Sequence, residues 1–334
     1  MIEEILGKKH AAFANTQAKN EQKLFSCPNV VGVALGKKVK DGEEKDQPVI
    51  SVLVTHKLHA KLLATGDKVP AKVDDVPADV VDVGEIFAGD AGGTTAEDVV
   101  DVQAATSPSL TRRMRPAMGG FSVGHPKVTV GTLGTCCYDL TPFPSVPRKY
   151  YILSNNHVLA NSNDANIGDP ILQPGRVDGG NNPRDIIARL SRFIPIRFHN
   201  GDNRPCNFVD ATIAEGNLQD LNREIYWGGY VRRLFEAPEV GESVQKTGRT
   251  TGFTTGEVTN INATVDVNYG AGRVARFCRQ IITTNMSAGG DSGSLVMNRD
   301  EGAVGLLFAG SATRTIVNNI AFVQALLRVR VTEQ

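Results

Sequence analysis

The sequence predicts a mainly β protein: an all-β body, a small N-terminal α/β domain and a helix near the C-terminal end. Three observations carry this. Beyond Met118, short apolar runs alternate with turn signals, a texture that argues for a barrel or a sandwich. The first 87 residues alternate helical and extended patterns instead. The run from Ile320 to Val329 places Phe322, Val323, Leu326 and Leu327 at helical spacing.

Taken in order, Ile2 to Leu24 reads as an amphipathic helix with Ile2, Ile5, Leu6 and Phe13 near one face. Strands follow at Val30–Gly36 and Val49–Val54, joined by a charged hairpin loop from Lys37 to Gln47. A short helix is expected at Lys57–Ala64 and a strand at Ala78–Val83. The order αββαβ over residues 1–87 describes a small open sandwich with helices on one face. Residues 88–117 change composition, with Gly89, Gly92, Gly93, Thr94, Thr95, Ser107 and Pro108, and read as a linker whose basic end, Thr111–Pro116, is a solvated tether. The third unit spans residues 118–334. Its strands are expected at Val128–Val130, Tyr150–Leu153, Val258–Ile261, Val265–Val267 and Ala303–Phe308.

Composition removes several classes of function. Lysine plus arginine total 36 and aspartate plus glutamate 36, so no polyanion partner is implied and nucleic-acid binding lacks its electrostatic drive. No stretch approaches the ~18 apolar residues of a membrane span, and the acidic start is unlike a secretory signal. The five cysteines show no zinc spacing, and adjacent Cys136 and Cys137 read as core thiols. Reduced thiols in a cytoplasmic location are the expectation. Asn161–Asp169 is rich in oxygen ligands but lacks a closing glutamate and reads as a surface loop, so neither a metal nor a cofactor is expected. His56 and His59 are read as surface residues.

The chemistry concentrates in Ser287–Leu295, where glycines and serines surround one aspartate ahead of an apolar strand. Glycine lets backbone N–H groups converge, so those of Gly290 and Ser292 are placed to hold an oxyanion while Ser292 serves as nucleophile. A serine nucleophile needs a base, and the base an orienting group. Of the six histidines, His157 directly follows an apolar strand, whereas His125 and His199 lie in Gly/Pro/Asn-rich loops. Asp210, in Phe208–Ala214, enters a strand among apolar neighbours. An acid buried there needs a partner such as an imidazole N–H. Asp178, Asp185, Asp202 and Asp220 have polar surroundings and are weaker candidates.

The chain order His157, Asp210, Ser292 resembles that of the chymotrypsin-like serine peptidases. So do Gly290–Ser294 (G-D-S-G-S), Leu153–His157 (L-S-N-N-H) and Val209–Ile213 (V-D-A-T-I). Thr247–Gly252 (T-G-R-T-T-G) resembles a turn of bacterial secreted members. The L-S-N-N-H form with the appended N-terminal domain is similar to bacterial relatives of plant narrow-leaf-type trypsin-like proteases. The resemblance implies two six-stranded antiparallel β-barrels with the site between them, and serine endopeptidase activity on a protein or peptide substrate. It implies a specificity pocket with Met286 at the floor and Ala309 and Gly310 at the wall, which suits a medium apolar side chain. Phe308 replaces a serine that often supports the aspartate, so Ser154 or backbone N–H groups are expected to do so. Asp291, which in family zymogens pairs with a freed N-terminal amine, is expected to find another partner, with no trimming needed for activity. The N-terminal domain has three roles open to it: covering the cleft, recruiting substrate or building a homo-oligomer. Two rival readings are a silent protease fold used for binding and a protease cleaving only itself, near Arg112 or Arg113, or one partner.

Overall fold

A computed structural model describes residues 2–40, 43–89, 109–141 and 146–332, with the backbone alone for 2–9, 60 and 65. Much of the expected linker, including Gly92 to Pro108, therefore lies outside the described residues, as do the side chains of Ile2, Ile5 and Leu6.

Two β bodies flank a cleft. In the second, the strands Ser243–Gly248, Gly252–Asn268, Val274–Thr284, Leu295–Asn298, Gly302–Gly310 and Arg314–Asn319 pair antiparallel around a closed ring. Closure removes the unpaired edges that an open sheet of this size would leave. The first body is a six-stranded sheet ordered Pro170–Leu172, Ile186–Phe193, Thr212–Gly216, Tyr150–Ser154, Thr135–Asp139 and Val329–Arg330. Its sixth strand is thus supplied from beyond the C-terminal helix, Ile320–Leu327. That helix is capped by Asn319, whose side chain accepts from the Ala321 N–H. It buries Ile320, Val323 and Leu327, while Leu326 is exposed and is not part of the packing face. A cluster that includes Leu153, Ile213, Leu295, Leu306 and Val323 fills the space between the two bodies.

The N-terminal unit is fused to the second barrel. Strand Val30–Lys40 pairs antiparallel both with Glu43–Val54 and with Gly252–Asn268, and Glu43–Val54 pairs parallel with Val76–Asp82. The charged stretch expected as a loop is therefore mostly hairpin, with Lys38, Val39 and Lys40 opposite Lys45, Glu44 and Glu43. Helix Ile2–Phe25 covers this sheet through Ala14 and Leu24, and its buried Gln17 amide donates to the carbonyls of Val33 and Asn262 at 3.1 and 2.9 Å. The expected helix at Lys57–Ala64 is replaced by two 3₁₀ turns, Ala60–Leu62 and Thr65–Asp67. Leu62 is exposed there, so an amphipathic helix would gain no burial.

Three further expectations are corrected. Val128–Val130 is irregular, following a turn at Pro126 and Lys127 and leading to the short strand Gly131–Thr132. The basic stretch before Met118 is docked rather than a solvated tether: Leu110 is buried, Arg113 Nε lies 3.2 Å from Asp185, and Arg115 donates to Gln173 Oε1 at 2.5 Å. Cys206 and Cys278 are joined as a disulfide, with Cα atoms 5.9 Å apart, where free thiols were expected. Cys136 and Cys137 are buried free thiols, and burial pushes Cys136 up to about 12 and Cys137 higher still.

Candidate active site

His157 lies just beyond strand Tyr150–Ser154, on a four-residue helix, and Asp210 just before the neighbouring strand Thr212–Gly216. That antiparallel pairing brings together two residues that are distant in sequence. His157 Nδ1 is 2.6 Å from Asp210 Oδ2, and the His157 backbone N–H donates to Oδ1 at 3.2 Å. The carboxylate is fully buried, so it requires such donors. A third is Tyr269, whose hydroxyl donates to Oδ2 at 2.7 Å. Burial and the adjacent Asp210 hold the Tyr269 hydroxyl well above its ordinary pKa, so it remains a donor. Ser154 does not support the aspartate: its hydroxyl donates to the Thr132 carbonyl at 2.7 Å. The backbone around Asp210 is pinned by Asn318 and Asn155, which bond its N–H and carbonyl.

Ser292 enters from the second barrel, in the loop ahead of Leu295–Asn298. Gly290 and Gly293 have φ of 93° and 98°, a region open mainly to glycine. At Gly293 an added Cβ would collide with Ser154 Oγ and the Thr132 carbonyl, so this loop can sit against the first body only with glycine there. The Gly289 carbonyl accepts from Thr250 Oγ1 at 2.6 Å and the Asp291 carbonyl from Ser294 Oγ at 2.6 Å. Because a trans peptide sets its C=O and N–H in opposite directions, the N–H groups of Gly290 and Ser292 point away from Thr250 Oγ1 and Ser294 Oγ. Neither donates to another group among the described residues.

Asp291 anchors this loop. It is fully buried, and Lys246, equally buried, places Nζ 3.0 Å from its Oδ2. Thr251 Oγ1 donates to Oδ2 at 2.6 Å, and the N–H groups of Thr250, Thr251 and Ala288 add 2.8, 3.2 and 3.1 Å contacts. Burial lowers the Lys246 pKa while Asp291 opposes the shift. An internal lysine therefore occupies the position beside Asp291 that the resemblance gives to a freed N-terminus. The T-G-R-T-T-G turn belongs to this cradle through Thr250 and Thr251, and its Arg249 forms an ion pair with Asp178.

Ala309 and Gly310 line a cavity beside Ser292, together with Ser287, Ala288 and Ser311. Met286 does not. It is fully buried in the barrel core, its backbone bonds Thr315 Oγ1 and Thr254 Oγ1, and its sulfur packs towards Gly256. Ser287, one residue on, faces the cavity instead, with its hydroxyl 2.7 Å from that of Thr315. His125 is paired with Asp169 at 3.2 Å and His199 with Asp266 at 3.5 Å, so neither joins the site. Among the described residues no group of three or more His, Cys, Asp and Glu could hold a metal ion, and no helix is long and apolar enough to cross a membrane.

Tyr269 and Lys246 are the site residues that sequence reasoning missed. Tyr269 follows a long strand and carries no motif. Lys246 had a readable signal, because alternation with buried Val244 in Ser243–Gly248 turns it inward.

Two family models match parts of the chain. Residues 16–83 match the NARROW LEAF 1 N-terminal domain, and residues 277–325 match Peptidase S7, Flavivirus NS3 serine protease. No curated protein matches the chain in sequence. Among solved structures, protease A of Thermobifida fusca is similar with 15% identity and a TM-score of 0.44, covering 64% of this chain and 97% of its own. The chymotrypsin of Cellulomonas bogoriensis is 17% identical with a TM-score of 0.43, covering 65% and 98%. A glutamic acid-specific serine protease described as using a histidine triad in substrate binding is 20% identical, with a TM-score of 0.44 over 64% and 100%. The paired β bodies, the strand pairing and the Peptidase S7 match together give this chain a chymotrypsin-like fold.

Proposed function

We propose that the protein is a serine endopeptidase with a restricted substrate set, acting through an acyl-enzyme on Ser292. The observation that carries the reading is the 2.6 Å contact of His157 Nδ1 with buried Asp210, which leaves Nε2, without a hydrogen-bond partner among the described residues, as the proton acceptor. In the first half-reaction Nε2 takes the Ser292 hydroxyl proton as the oxygen attacks a substrate carbonyl carbon. The resulting oxyanion is held by the N–H groups of Gly290 and Ser292, a contribution of roughly 10²–10³ in rate per donor. His157 then delivers the same proton to the departing amine nitrogen, and the C–N bond breaks. In the second half-reaction His157 deprotonates a water that attacks the ester, and the proton returns to Ser292 as the acid product leaves. General acid–base catalysis of this kind contributes roughly 10²–10⁴.

Asp210 keeps Nδ1 protonated and stabilises the imidazolium, with Tyr269 sharing the carboxylate. The Lys246–Asp291 pair supports a loop that needs no new N-terminus to take its shape, in keeping with activity without trimming. A homo-oligomer belongs to the same proposal, and so does a cytoplasmic location, which the free Cys136 and Cys137 thiols favour and the Cys206–Cys278 disulfide disfavours.

Hydrolysis of a proteome-derived peptide library, followed by mass spectrometry, tests the reading. Wild type is expected to generate new peptide termini, with a loss of at least ~10³-fold in Ser292→Ala and His157→Ala. Equal cleavage by all three would overturn it.

A further inference from the structure

The cleft beside Ser292 is already occupied by the chain itself. After the N-terminal sheet, the backbone runs through Ile86 into a two-residue strand, Phe87–Ala88. This strand pairs antiparallel with the lip of the cleft, Ala88 opposite Ala309 and Phe87 opposite Gly310. On its other flank it is held by Gly252–Asn268, where the Asn268 N–H donates to the Ile86 carbonyl at 2.9 Å. The next residue, Gly89, reaches the base: a Cβ added there would lie 3.4 Å from His157 Cδ2 and 3.5 Å from Nε2.

Direction gives this contact its meaning. The chain runs from Phe87 to Gly89 towards His157 and Ser292, so it approaches the nucleophile as the acyl portion of a peptide substrate must. Backbone pairing along a strand edge is a general way of binding an extended peptide. Past Ala88 the segment is unlike a substrate about to be cut. Gly89 has φ of 60°, so the backbone leaves the extended form at the point where a reacting carbonyl is required. His157 Nε2 has no hydrogen-bond partner among the described residues, and Ser292 Oγ donates instead, at 3.5 Å, to the Phe308 carbonyl. The space left among Phe87, Gly89, Ser287, Ser292 and Gly310 is about 20 Å³, little more than a water needs.

We infer that Phe87-Ala88-Gly89 is a built-in competitor that occupies the acyl side of the cleft in substrate direction and keeps the serine latent. The inference rests on the peptidase reading of the same site and adds a substrate class to it. An extended peptide that displaces the segment must present a small residue next to Ser292. A Cβ on Gly310 would lie 3.5 Å from Ser287 Oγ, so the slot between them is narrow and lined by small side chains. Glycine and alanine fit it.

The test compares full-length wild type with Ala88→Pro, which removes the backbone N–H that faces Asn268 on the segment's other flank, and with Gly89→Val, which pushes a side chain against His157. The second-order rate of fluorophosphonate labelling at Ser292 is read by intact mass. Both variants are expected to label at least ~10-fold faster than wild type. A synthetic peptide with the sequence of residues 84–89 is expected to slow Ala88→Pro back towards the wild-type rate, and a scrambled peptide is not. Equal rates in all three proteins, or equal effects of the two peptides, would overturn the competitor while leaving the peptidase reading intact. Absence of labelling in every protein would remove both.

Discussion

Around Asp291, five groups converge on one buried carboxylate, and the only formal positive charge among them is Lys246. A buried ion pair gains little over an apolar pair, but removing one member strands the other charge at about 3–5 kcal/mol. Lys246→Met is therefore expected to lower urea stability by about that amount and to slow Ser292 labelling at least tenfold, because the loop presenting Gly290 and Ser292 hangs on Asp291. Unchanged stability together with unchanged labelling would remove the lysine from this role. The candidates His157, Asp210 and Ser292 stand out in the sequence because each sits in a short motif next to an apolar strand. Tyr269 acts through a tertiary approach that is not written locally, and although alternation turns Lys246 inward, its partner Asp291 lies 45 residues on. The Met286 expectation failed by one residue for a related reason: a count back from the serine ignores how the backbone turns before it.

At the scale of elements, the N-terminal sheet and the second barrel share a strand pairing, Gly32 opposite Val265 and Leu35 opposite Ile261. Gly32 is needed for this approach, since a Cβ would meet Leu53 Cδ1 and Val265 Cγ1 at 2.9 Å and the Thr264 carbonyl at 3.0 Å. Overpacking of this kind costs about 1–3 kcal/mol. Gly32→Val is expected to lower the denaturant midpoint of one shared unfolding transition. Two transitions, only the first of them moved, would contradict the shared sheet. Composition and alternation made Tyr150–Leu153 and Ala303–Phe308 legible as strands, together with the first helix and the C-terminal helix, while Val258–Ile261 and Val265–Val267 are parts of one strand, Gly252–Asn268. Composition and alternation could not show that strand Val30–Lys40 pairs into the barrel, because cross-strand partners more than 200 residues apart leave no local trace. The docked Arg113 and Arg115 were hidden similarly, since their partners Asp185 and Gln173 lie far along the chain.

For the whole molecule, this fusion explains how a short segment can act in the cleft. With the N-terminal sheet held rigidly against Gly252–Asn268, the exit of its last strand, Val76–Asp82, is fixed in space. The residues beyond it are delivered to Ala309 and Gly310 as an intramolecular partner, which needs no high intrinsic affinity to stay bound. Every part of this account depends on one claim, that His157, Asp210 and Ser292 work together on a carbonyl held by Gly290 and Ser292. Prolonged exposure of wild type and Ser292→Ala to excess fluorophosphonate, read by intact mass, tests it most directly. The account predicts a single adduct on wild type, mapped to Ser292, and none on the variant. No adduct on wild type, or an equal adduct on both, would contradict it.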